Sequence, residues 1–123
     1  MFTVAMPRII SELWVHALIR DCHSKGMMAF QLQRGDKERG GIVIKISNTK
    51  GQAYMLEQSM DFDGNKIWRM TPKDGLLSDP QMSEREIDEK IQKAKNRDPD
   101  LWILEVEDPG GDYQHMEPIS SDF

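Results

Sequence analysis

The chain has 123 residues, with 16 Lys and Arg against 21 Asp and Glu, a net charge of −5, and 38% hydrophobic residues. A domain of that length buries roughly two-thirds of its unfolded surface, which supports one modest core and excludes two domains. No apolar run approaches the roughly 20 residues of a membrane-spanning helix, and MFTVAMPRII has no basic segment ahead of an apolar one, so a cytoplasmic protein without membrane contact is expected.

Cys22 is the only cysteine, which excludes an internal disulfide and a thiolate metal cluster within one chain. No metal or cofactor is expected. Charge is unevenly distributed. Asp98 to Phe123 holds eight acids and no base, leaving 16 bases against 13 acids before it. A mildly basic body beside its own acidic end makes nucleic acid an unlikely partner, since such binders display dense basic faces.

Ser11 is placed to cap a first helix, ELWVHALIRDCHSK, and Gly26 to stop it. Its polar residues Glu12, His16, Arg20 and His23 form one narrow stripe, and apolar residues cover most of the rest. Such a helix is expected to be covered on two sides, by a sheet and by a further element or subunit. Met27 to Arg34 alternates with Met28, Phe30 and Leu32 inward. GIVIKIS sets Ile42, Ile44 and Ile46 against Val43, Lys45 and Ser47, which predicts another half-buried strand. QAYMLEQS and KIWRMT follow, joined by DFDGNK with its Asp63-Gly64 turn. Short connections then predict a four-stranded antiparallel meander.

Ser83 with Glu86 three residues on is a capping box for a second helix with a thin Ile87, Ile91, Ala94 stripe, acids early and bases late. Asp98-Pro99 ends it, and Leu101 to Val106, apolar on both faces, predicts a fifth, central strand. The expected architecture is one α+β domain over residues 1–108, with 109–123 a flexible acidic tail.

Three stretches, SELWVHALIR, LQRGD followed by GGIVIKI, and DPDLWILEVED, resemble a bacterial family catalogued as domain of unknown function 1491. The resemblance spans roughly residues 9 to 108. It implies a compact α+β domain and supplies no catalytic residues to carry over.

Candidate chemistry is sparse. Glu105 and Glu107, two apart on a strand, leave one face about 7 Å apart. With Asp108 they suit a divalent ion or an activated water, although a strand emerging into solvent explains them more simply. Arg34, Gly35, Asp36 and Arg39 in RGDKERGG are candidates for an anion cradle, but the loop joins two strands and lacks the ending of a phosphate-binding loop. His16 and His23 lie about 10 Å apart along the helix, too far for a shared metal. Cys22 reads as a buried or interface thiol.

The sequence therefore points to a non-enzymatic interaction module that self-associates, through Trp14, Val15, Leu18, Ile19 and Cys22 of the first helix or through an exposed sheet edge. A small metal-assisted hydrolase or nucleotide-binding enzyme using Glu105, Glu107 and Asp108 is the alternative.

Overall fold

The fold is described from a computed structural model, over residues 9–60 and 63–120. Asp61 and Phe62 of the DFDGNK connection, and residues 1–8 and 121–123 at the ends, lie outside the described residues. The elements in chain order are α1 (Ser11–Ser24), β1 (Met28–Gln33), β2 (Ile42–Ser47), β3 (Ala53–Met60), β4 (Lys66–Thr71), a 3-10 turn (Gly75–Leu77), α2 (Glu84–Arg97) and β5 (Trp102–Glu107). They build an α+β domain around one five-stranded sheet in the order β1-β5-β2-β3-β4.

The expected four-strand meander is reduced to three strands. β5 inserts between β1 and β2, antiparallel to the first and parallel to the second. The cause is legible in burial: Trp102, Ile103, Leu104 and Val106 are all at most 4% exposed, and a strand apolar on both faces belongs in the sheet's interior. A two-residue turn would have locked β1 against β2, but residues 34–41 form a loop long enough to arch over the start of β5. Trp102 Nε1 donates to the Asp36 carbonyl at 2.7 Å, Asp36 N to the Asp100 carbonyl at 2.9 Å, and Trp102 N to the Gly41 carbonyl at 2.9 Å.

Each face of the sheet has its own core. On one, Trp14, Val15, Leu18 and Cys22 of α1 pack over Ile42, Ile44, Ile46, Leu56, Trp68, Trp102, Leu104 and Val106. On the other, Ile87 and Ile91 of α2 cover Val43, Ala53, Met55 and Ile103. β2 is consequently buried at all six positions, not at alternate ones.

The helix starts differ. Ser83 and Glu86 make the predicted capping box. Ser11 does not cap α1: the N-cap is Ile10, and Ser11 Oγ donates to the Gly40 carbonyl at 2.6 Å. The first N–H groups of α1 are instead satisfied by loop carbonyls, Ser11 N by Glu38 at 3.2 Å and Glu12 N by Lys37 at 3.0 Å.

Residues after β5 turn back over the α1 face. Asp108, 3% exposed, accepts from Asp112 N and Tyr113 N, both at 2.8 Å. Ile119 bridges in parallel to Trp68, and Ser120 N donates to the Trp68 carbonyl at 2.8 Å, covering part of the β4 edge.

Candidate functional site

The three carboxylates proposed from sequence do not converge. Glu105 lies on the α2 face, where its Oε1 is 3.4 Å from Lys45 Nζ. Glu107 pairs in register with Met28 and Ser47 on that same face. Asp108 lines a cavity of about 280 Å³ with Tyr54 and Met70, on the α1 side, and its two oxygens are engaged by the following turn. An alternating strand sends adjacent residues to opposite faces, so Asp108 has no route to the two glutamates. No group of three or more His, Cys, Asp or Glu side chains suited to a metal ion occurs among the described residues.

What the sequence reading missed is Lys45. Its ammonium, on a side chain 6% exposed, meets Asp88 Oδ1 at 2.7 Å, Glu84 Oε1 at 2.8 Å and Glu105. Burial opposes the charge, but hydrogen bonds to Asp88 and Glu84 and the charge of Glu105 outweigh it and hold the ammonium's pKa above its ordinary value. The signal was present: a lysine between Val43 and Ser47 on the face opposite the isoleucines of the strand, and two acids four apart at the start of a helix. The cluster fastens the first turn of α2 to β2 and β5.

The loop residues proposed as an anion cradle hold the loop to β5. Arg34 pairs with Glu12 Oε2 and lies 5.3 Å over the Trp102 ring. Asp36 Oδ2 accepts from Arg39 N at 2.8 Å. A Cβ on Gly35 or Gly40 would collide with Asp100 and Trp102. Only Arg39 lines open space, a cavity of about 220 Å³ with Ser11, Gln58 and Lys66.

Of the helix residues proposed as an interface, Trp14, Val15, Leu18 and Cys22 are 7%, 0%, 1% and 1% exposed within a single chain, and Ile19 is half-buried. Burial also pushes the Cys22 thiol up, and neighbouring Asp21 adds to this. His16 and His23 are exposed, whereas His115 packs edge-on against Trp68 at 4.3 Å.

β1 reverses its expected orientation. Ala29, 4% exposed, faces α1, while Met28, Phe30 and Leu32 are 52%, 38% and 57% exposed. The helix needs a small residue beneath it. Met28 and Phe30 lie on the α2 face, opposite Glu107 and Glu105, and Leu32 sits at a register shift between Gln31 and Gln33. The apolar residues that packed on α2 come from β2, β3 and β5, leaving β1's share of that face open. The alternation that predicted burial thus marks, among the described residues, an exposed apolar strip at a sheet edge.

A mixed five-stranded sheet with one helix on each face defines a small α+β domain. Residues 9–115 match the family described as Protein of unknown function (DUF1491), and the chain belongs to it. Several solved structures are similar. The crystal structure of a DUF1491 family protein from Caulobacter crescentus CB15 has a TM-score of 0.77 at 26% identity, covering 92% of this chain and 100% of that one. An NMR structure of a DUF1491 family protein from Caulobacter crescentus CB15 gives 0.75 at 27%, with 92% and 97% covered. A solution structure of a protein from A. tumefaciens gives 0.66 at 21%, with 82% and 86% covered, a likeness of fold alone. No curated protein matches the chain. Among the described residues no helix is long and apolar enough to cross a membrane.

Proposed function

We propose that this protein is a non-enzymatic interaction module that self-associates through the β1 edge. The observation that carries the reading is the strip of Met28, Phe30 and Leu32, exposed on a six-residue strand, MAFQLQ, that contains no charge and no proline. Natural sheet edges are ordinarily blunted by lysine, proline or a covering segment. The β4 side follows that rule, with Lys66 and Arg69 on the strand and residues 119–120 laid along Trp68. Among the described residues β1 has neither protection.

A second copy suits this strip because an uncharged strand meets its own image across a two-fold axis without opposing like charges. The Ala29 carbonyl already has His23 Nε2 at 3.2 Å, so apolar side chains, more than main-chain pairing, supply the contact. In a two-fold interface each residue counts twice, and burying one phenylalanine is worth about 1.5–3 kcal/mol. Phe30 is 38% exposed in the single chain, so only that share is left to bury, about 1–2 kcal/mol over the two copies, and Phe30→Lys should weaken association by about tenfold or more. Size-exclusion chromatography with light scattering is the test: a dimer for the native chain, and for Phe30→Lys a monomer that still unfolds cooperatively, at a midpoint that no longer depends on protein concentration. A native chain that stays monomeric at high concentration would overturn the proposal.

A further inference from the structure

α2 carries its charges on two separate flanks. At about 100° per residue, Glu84 and Asp88 fall to one side of the Ile87, Ile91, Ala94 stripe, and Lys90, Lys93 and Arg97 fall to the other. The acidic flank is answered inside the protein by Lys45. The basic flank, which also carries Glu86 held by Ser83 in the capping box, has no such answer among the described residues. Lys90, Lys93 and Arg97 line a groove of about 240 Å³ between α2 and the sheet, with Met55, Glu57 and Thr71 as its floor. Glu57 is the one acid among these residues, and Arg69 stands opposite it in the β3–β4 register. The helix dipole accounts for bases in the last turn, Lys95 and Arg97, but not for Lys90 and Lys93, which lie earlier.

We infer that this groove binds a compact multivalent anion of the phosphate class, held by Lys90, Lys93 and Arg97. Arg97 offers a planar fork for two phosphate oxygens, the lysines supply point charges, and the Thr71 hydroxyl offers a neutral donor at the groove's floor. The net charge of −5 on the whole chain disfavours an extended polyanion, which would lie across acidic surface as well, and so favours a small ligand over nucleic acid. The groove lies towards β3 and β4, across the sheet from β1, so this site stands independently of self-association.

The probe is inorganic pyrophosphate, added to the full-length, isotopically labelled chain at low ionic strength and followed by amide chemical shifts and calorimetry. Saturable one-to-one binding is expected, with a dissociation constant below about 1 mM. The combined Lys93→Gln and Arg97→Gln variant should weaken it by at least about tenfold, because each removes a charge-assisted contact. Lys95→Gln, on the acidic flank, should leave it unchanged. Shifts should centre on Thr71, Lys93 and Arg97. Absence of saturation, insensitivity to the double variant, or shifts centred on Arg39, Gln58 and Lys66 would each overturn the inference. So would a single-stranded oligonucleotide that binds the groove more tightly than pyrophosphate, which would make it a nucleic-acid surface.

Discussion

Glu105 stands beside Lys45 across the parallel β2–β5 pair, and the ammonium between them also reaches Glu84 and Asp88 of α2. Two strands distant in sequence and the start of a helix are thereby tied at one buried charge. Lys45→Met removes that charge and leaves three carboxylates gathered around an apolar side chain. The loss of stability at neutral pH should be roughly 1–3 kcal/mol, below the usual cost of breaking a buried pair because Glu84 and Asp88 are 37% and 55% exposed. The folded-state pKa of Lys45 is raised, so its contribution is complete below the ordinary value of 10.5 and fades as pH rises through the higher folded value. Urea midpoints of the two proteins should accordingly differ at pH 7 and draw together in strong alkali. Equal midpoints at pH 7 would remove Lys45 from the account of stability.

Gly35 and Gly40 are required by closeness to β5, not by ligand approach. A Cβ on Gly35 would lie 2.6 Å from Trp102 N, and one on Gly40 the same distance from the Asp100 carbonyl oxygen. Main-chain atoms at the entry to β5 give way less readily than the end of a flexible side chain. Either substitution to alanine should cost about 1–3 kcal/mol, through displacement of the loop or of β5. Gly41→Ala is the control, since its nearest neighbour is the flexible end of Leu101 at 3.0 Å. Thermal unfolding would decide: a Gly41→Ala shift as large as that of Gly35→Ala would show that the crowding at β5 is not what selects glycine.

The same two glycines show where sequence reasoning stopped. Ser83 and Glu86, the Ile87, Ile91, Ala94 stripe and the doubly apolar Leu101–Val106 were legible because each is a local pattern with a local physical cause. The insertion of β5 between β1 and β2 was not, because it depends on a contact between Asp36 and Trp102, 66 residues apart. Met28 and Phe30 share a face as their alternation implied, but it is the face away from α1, and the register shift between Gln31 and Gln33 takes Leu32 out of the periodic set. Alternation establishes that residues share a face; which face is covered depends on where the helices lie, and Ala29 beneath α1 settles it. For the candidate sites, Glu105 was identified without its partner, since Lys45 lies 60 residues earlier and acquires its role only once β5 lies parallel to β2.

His115 joins the chain's return segment to the aromatic core, and its protonation should be costly. The ring is 4.3 Å from Trp68 and 5.9 Å from Trp14, with Nδ1 2.8 Å from the Tyr113 hydroxyl and Nε2 buried without a partner. Burial pushes its pKa from 6.5 down to about 4, opposed in part by the charge of Glu117, whose carboxylate accepts from Trp68 Nε1 at 2.9 Å. Because the unfolded chain takes up this proton first, the stabilising contribution is full above pH 6.5 and is lost as pH falls towards about 4. The loss amounts to no more than about 3 kcal/mol. His115→Phe keeps an aromatic edge against Trp68 and removes the titration. Carboxylates elsewhere protonate in the same window in both proteins, so the informative quantity is the difference between native and variant midpoints at pH 7, 5.5 and 4. That difference should shift in the variant's favour on acidification; a constant difference would mean that folding does not alter the proton affinity of His115.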